Sequence, residues 1–315
     1  MSPKRSILRA ALIQILIPAY LLAIAGVPLL LAVAGVWTSH GFVTRSLAAV
    51  AAPAVYVLGY LLIAGALSRL TLRRIVQGKF HRDLGDRVYG PRRLYALCWT
   101  AICYAPPIYH AMLALPWLKR AVFRLFGYRG SLEFQTYPDT WLRDLPLLTV
   151  GKGAYLSNKA TVSPNMCLRN GKILILPVSI GSGVMVGHLT MIAPGVEIGA
   201  ESEIGVGAAL GINACVGRKT VIDHEVILDH DATIGNNCVV GTRAYVGRRA
   251  VVRDGLRIPP AAVIPARSVL STQDEVDALC GVSGAARRRS TLATDVEDEA
   301  FDPAVIRSPG YQNTH

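Results

Sequence analysis

From Val150 to Ile264 every sixth residue is aliphatic, twenty positions in one unbroken register that opens Val150, Leu156, Val162 and closes Val252, Ile258, Ile264. A period of six matches neither the helical repeat of 3.6 nor the strand alternation of two. It predicts a left-handed parallel β-helix of hexapeptide repeats, in which three short strands form each triangular coil and the aliphatic side chain fills the prism. The residue two positions earlier is small or short, as at Ala154, Ala160, Ala208, Ala214 and Ala232. Glycine often follows the aliphatic residue (Gly181, Gly187, Gly205, Gly235), which predicts corners that need permissive backbone. Eighteen residues per coil give about six to seven coils and a prism ~30 Å tall at strand spacing. The stretch Cys167 to Pro177 lacks the small-residue pattern, but Leu174 keeps the count, so it reads as a coil with an unusual face rather than an inserted loop.

Upstream the pattern changes completely. Residues 10–44 and 46–68 contain no Asp, Glu, Lys or Arg, and each is longer than the roughly 20 residues a hydrocarbon core requires. The first is too long for a signal-peptide core and a second follows at once, so the pair predicts a transmembrane hairpin. Lys4, Arg5 and Arg9 precede it and Arg69, Arg73, Arg74, Lys79 and Arg82 follow it, with only Arg45 between the spans. That bias predicts both ends on the cytoplasmic side of a bacterial-type inner membrane, with the β-helix there too. Leu94 to Leu118 is also uncharged, but Pro106, Pro107 and Pro116 interrupt it and aromatic residues are spread along it. Two short interfacial helices fit that pattern; a third crossing would instead carry the prism to the other side. The sequence thus divides into a transmembrane hairpin (1–75), a basic interfacial linker (76–145), the β-helix (146–270) and a tail (271–315) predicted to be mobile.

Charge sharpens this division. Residues 1–130 hold 16 Lys and Arg against Asp83 and Asp86, whereas the remainder holds 17 against 19 acidic residues, so the overall +12 belongs to the membrane-facing part. Such cations meet anionic lipid head groups, and no nucleic-acid partner is expected. The six cysteines form no paired motif, and a disulfide framework is not expected in a cytoplasmic domain.

Three histidines occur in the repeat, His188, His224 and His230, each two residues after its aliphatic position. The register puts His188 and His224 on one face, two coils apart with Val206 between them, and His230 on the next face. His230 stands in Val226-Ile-Leu-Asp-His-Asp-Ala-Thr-Ile-Gly235. That segment resembles one in the hexapeptide-repeat acyltransferases that acetylate amino sugars and sialic acids. The resemblance implies His230 as general base, Asp231 as the carboxylate that orients it, and acetyl-CoA or another acyl thioester as co-substrate. A neutral imidazole can take the proton of an attacking amine or hydroxyl. His224, in Ile222-Asp-His-Glu225, repeats the pattern and is the rival base. The resemblance also implies a homotrimer with active sites between prisms, since a lone prism is convex. Gly247 could offer backbone N–H groups to the cofactor, and Arg243, Arg248 and Arg249 could meet its phosphates.

Two further resemblances bear on the chemistry. The histidine spacing is similar to that of γ-class carbonic anhydrases, but the last interval is one residue longer, which moves the third imidazole to another corner, so no metal is expected. The layout of two spans, an aromatic linker and a prism resembles the membrane-embedded terminal modules of ε-poly-lysine-synthetase-like enzymes. It implies aminoacyl transfer from a carrier-protein thioester, although the coil Ser163–Leu168 lacks the histidine typical of those modules. A membrane-anchored acetyltransferase acting on an amine or hydroxyl is therefore the leading expectation. An aminoacyl-transferring module served by a carrier protein and a non-catalytic β-helix scaffold are the alternatives.

Overall fold

The computed structural model describes residues 3–281; the final stretch 282–315, most of the expected mobile tail, lies outside the described residues. Two long helices, α1 (Pro3–Thr38) and α2 (Phe42–Thr71), pack side by side. Both are long and apolar enough to cross a membrane, and they leave large apolar side chains such as Leu22, Leu30 and Val50 exposed. The stretch expected to form two interfacial helices is divided among three: α3 (Tyr89–Cys103), α4 (Pro106–Ala114) and α5 (Pro116–Leu125). Pro106 and Pro116 each open a helix, where a missing N–H costs nothing. Trp99, Tyr109, Phe123 and Phe126 meet edge to face among these helices. The Trp99 indole N–H donates to the Leu142 carbonyl (2.7 Å), and the Tyr128 hydroxyl receives the Val150 N–H (3.1 Å), which ties this neck to the first coil.

Lys119 is buried within the neck. Its Nζ donates to the Phe134 carbonyl (2.6 Å) and lies 3.9 Å from the centre of the Phe134 ring. Burial pushes its pKa down to about 8. Between that value and the usual lysine value the unfolded chain binds more protons than the folded one, so this residue makes stability rise with pH. The gain is complete above the unfolded pKa and lost as pH falls through about 8. The melting temperature of the wild type relative to Lys119→Met should therefore climb through that window; parallel curves would sink the assignment.

The β-helix is as the six-residue period predicts: three parallel faces, each of seven two- or three-residue strands. Its first strand is Gln135–Thr136, ahead of the regular run, and its last is Val269–Leu270. The first face runs through Tyr155–Leu156, Met185–Val186 and Val221–Ile222; the second through Thr161–Val162, Met191–Ile192 and Ile227–Leu228; the third through Ser179–Ile180 and Thr233–Ile234. The aliphatic residue of each strand is buried and its predecessor points out, as at Ile222 and Val221. Beyond the prism α6 (Gln273–Cys280) caps the last coil, begun by a reciprocal Thr272–Glu275 capping box. This helix falls in the segment expected to be tail.

Two sequence expectations are corrected. Cys167 to Pro177 is not a coil. Asn165–Cys167 and Lys172–Ile175 form an antiparallel hairpin, and Gly78–His81, arriving from α2, adds a third strand to it. Val162 consequently pairs with Ile192, thirty positions on, whereas Ile192 pairs with Leu210 at the normal eighteen. The surplus equals two hexads, which is why Leu168 and Leu174 preserve the count without belonging to the prism. Leu176 donates its N–H to Pro164 (2.9 Å), so the ends of the insertion touch. Removing 165–176 should therefore leave a closed prism that keeps most of the strand signature in far-ultraviolet circular dichroism, less the three strands of the hairpin sheet; a collapse of that signature would show the hairpin to be part of the core.

The glycines after the aliphatic positions have a different reason from the one expected. Gly205 lacks a positive φ; a Cβ there would lie 2.6 Å from the Asp223 backbone in the next coil. The left-handed position comes two residues later and is often not glycine: Glu225, Asp231, Arg243 and Arg249 all occupy it, with φ between 54° and 61°. Side chains at that position project outward from the corner.

Candidate functional site

The chemistry-bearing side chains gather at two successive corners. At the corner after the first face, Asp223 accepts the His224 N–H (2.7 Å) and the Thr242 hydroxyl (2.6 Å), and the His224 Nδ1 accepts the Val206 N–H (3.0 Å). At the corner after the second face the arrangement recurs. Asp229 accepts the His230 N–H (2.6 Å) and the Tyr245 hydroxyl (2.9 Å), and the His230 Nδ1 accepts the Ile212 N–H (3.0 Å). A neutral imidazole bonded this way carries its proton on Nε2. Gly211 makes space for the ring, since a Cβ there would lie 2.7 Å from His230 Nδ1.

What separates the two corners is their surroundings. The hairpin leaves the prism from the His230 corner, three coils away, and stands as a wall beside the second face. Between wall and face runs a groove of about 370 Å³, lined by Met166, Met191, Ala209 and Ile227 and ended by Asp229 and His230. His224 does not line it. A single chain thus already has the concavity that was expected to need a partner subunit, because the insertion supplies one side.

Asp231, expected to orient the imidazole, sits at the outward-pointing left-handed position. Its carboxylate takes a bond from the Asn213 amide (3.2 Å) and faces Arg248 (3.8 Å) and Arg249 (3.6 Å). The carboxylate beside the ring is Asp229, whose oxygen lies 3.8 Å from Nδ1. Desolvation pushes the Asp229 carboxyl up, but the His230 N–H, the Tyr245 hydroxyl and the nearby positive charge outweigh it and the net shift is downward. Sequence reasoning passed over Asp229 because it precedes the histidine; its signal is that Asp223 stands in the same place before His224. Gly247, Arg248 and Arg249 occupy the coil above His230, and Arg249 donates its N–H to the His230 carbonyl (3.0 Å). Arg243 lies instead over the His224 corner, paired with Glu225 (2.6 Å). Among the described residues no group of three or more His, Cys, Asp or Glu is placed to hold a metal ion.

No family model and no curated protein matches the chain. Solved structures that share the architecture include a mutant of GDP-perosamine N-acetyltransferase from Caulobacter crescentus in complex with CoA and GDP-perosamine, 24% identical with a TM-score of 0.28, the match covering 38% of this chain and 48% of that one. The acetyltransferase domain of PglB from Neisseria gonorrhoeae, in complex with acetyl coenzyme A, is 18% identical with a TM-score of 0.35, covering 47% and 64%. UDP-N-acetylglucosamine O-acyltransferase (LpxA) from Moraxella catarrhalis is 17% identical with a TM-score of 0.26, covering 42% and 55%. The chain spans about half to two thirds of the length of these proteins. The chain has a hexapeptide-repeat parallel β-helix fold, preceded by two helices long and apolar enough to cross a membrane.

Proposed function

We propose that the protein is a membrane-anchored acyltransferase in which His230 acts as general base on an amine or hydroxyl acceptor, with acetyl-CoA as the acyl donor. The observation that carries this reading is the position of His230 at the end of the groove, next to a carboxylate that the His230 N–H and then the Tyr245 hydroxyl hold in its ionised form. In the working state the ring proton moves to Nδ1, which swings from Ile212 toward Asp229, and Nε2 presents a free lone pair to the acceptor. The acceptor oxygen or nitrogen attacks the thioester carbonyl and His230 takes its proton. The carbon–sulfur bond then breaks, and the imidazolium returns the proton to the leaving thiolate as free CoA forms. Arg248 and Arg249, in the coil above, are the proposed contacts of the CoA phosphates; binding would draw them away from Asp231.

The exposed apolar side chains Met185 and Val221 on the first face and Val263 on the second, none of which lines the groove, suit contact between prisms, and the proposed assembly is a homotrimer. The helical pair is proposed to anchor the protein with the prism in the cytoplasm, where acyl-CoA is available. The test uses the full chain in detergent with acetyl-CoA labelled in the acetyl group and a membrane lipid extract as acceptor. Transfer of label with stoichiometric release of CoA thiol is expected. Absence of both, with trimeric or monomeric protein alike, would leave the scaffold reading standing.

A further inference from the structure

A second cavity, of about 180 Å³, lies between α3, the start of the prism and the far side of the hairpin, and Arg82, Arg92, Arg93 and Arg143 all line it. Among the described residues Asp144 is the only acidic one in its wall. Arg92 is 6% exposed and is bonded through one terminal nitrogen to Asp144 (2.5 Å), yet its buried Nε has no hydrogen-bond partner. Arg143 stacks against the Trp141 ring at 5.0 Å. Among the described residues Arg82, Arg93 and Arg143 form no ion pair. Arg82 and Arg93 are exposed to solvent and Arg143 is half-buried, and like charges gathered around one cavity repel unless an anion joins them. Guanidinium groups present forked donors that match phosphate oxygens.

The cavity and the groove are neighbours. Asn165 lines both, and its side-chain amide is fixed by donating to Asp144 (2.6 Å). From the root of the hairpin, beside Val162, to the His230 corner is three coil steps, or ~15 Å at strand spacing. A ligand with its phosphate in the cavity and its reactive end at His230 would have to bridge about that distance along the hairpin.

We propose that this cavity is a phosphate-binding subsite holding the phosphate or diphosphate group of one of the two transfer substrates. Its role in catalysis rests on the acyltransferase reading; its binding chemistry does not. The group belongs to a phosphate-bearing lipid acceptor or to CoA, the latter in place of the Arg248 and Arg249 contacts proposed above, and displacement tells the two apart. Inorganic pyrophosphate is titrated calorimetrically into the full chain in detergent. Saturable binding is expected, weakened roughly 10-fold or more in Arg93→Gln and in Arg143→Gln, as for loss of a charge-assisted contact. Arg169→Gln, at the exposed hairpin tip, should bind as the wild type does. Displacement of pyrophosphate by CoA assigns the subsite to the donor, and displacement by a short prenyl diphosphate assigns it to the acceptor. No binding, binding indifferent to both pocket substitutions, or displacement by neither ligand overturns the proposal. His230→Ala should keep pyrophosphate binding intact. If that variant also kept full turnover, the base assignment alone would fall.

Discussion

Replacing His230 with alanine is expected to lower acyl transfer by ~10²- to 10⁴-fold, the range for removing a general base, while acetyl-CoA still binds. The ring ends the groove, and its hydrogen bond to the backbone is the one from the Ile212 N–H. Folding should therefore survive and the loss should appear in kcat. Asp229→Asn should come next in severity, because it removes the negative charge 3.8 Å from Nδ1 that stabilises the protonated ring. Asp231→Asn should cost less, since its carboxylate faces Arg248 and Arg249 rather than the imidazole. His224→Ala should cost least of the four, as its ring lies on the preceding corner outside the groove. Steady-state rates of CoA release across the four variants decide the matter. If His224→Ala abolishes turnover and His230→Ala does not, the base sits one corner earlier and the groove is not the active site.

Asp144→Ala is expected to be the most damaging substitution for stability, by ~3–5 kcal/mol, the cost of stranding a buried charge. The Asp144 side chain is 2% exposed and that of Arg92 8%, and Asp144 also holds the Asn165 amide. Removing it leaves the guanidinium buried beside Arg143 without a counter-charge and frees the root of the hairpin. Thermal melting in a fixed detergent should show a large fall for Asp144→Ala. The double substitution Arg92→Met with Asp144→Leu should recover much of it, because no unpaired charge remains. A single variant that melts like the wild type would mean that water reaches Arg92 and that the Arg92–Asp144 pair is not a buried anchor of the neck.

Period and composition by themselves determined the prism and the helical pair. A parallel β-helix stacks equivalent positions every eighteen residues, so an inward aliphatic side chain must recur along the chain, and this contact pattern is local enough to read directly. Two uncharged stretches of spanning length are equally plain, because the length of an apolar helix is written in consecutive residues. The histidine corners followed from the same register: His188 and His224 do share one corner and His230 lies on the next.

Tertiary structure alone decided the rest. The hairpin was hidden because its surplus of two hexads left the count undisturbed, and because its partner strand, Gly78–His81, lies some ninety residues upstream in the chain. Antiparallel pairing across that separation leaves no periodic trace. Which carboxylate lies beside the imidazole depended on where corner side chains aim: the left-handed backbone at Asp231 turns it outward, while Asp229, just before the histidine, stays beside the ring. The groove and the arginine cavity exist only because the hairpin, α3 and the prism meet, and concavity is a property of several elements brought together rather than of any one segment of sequence.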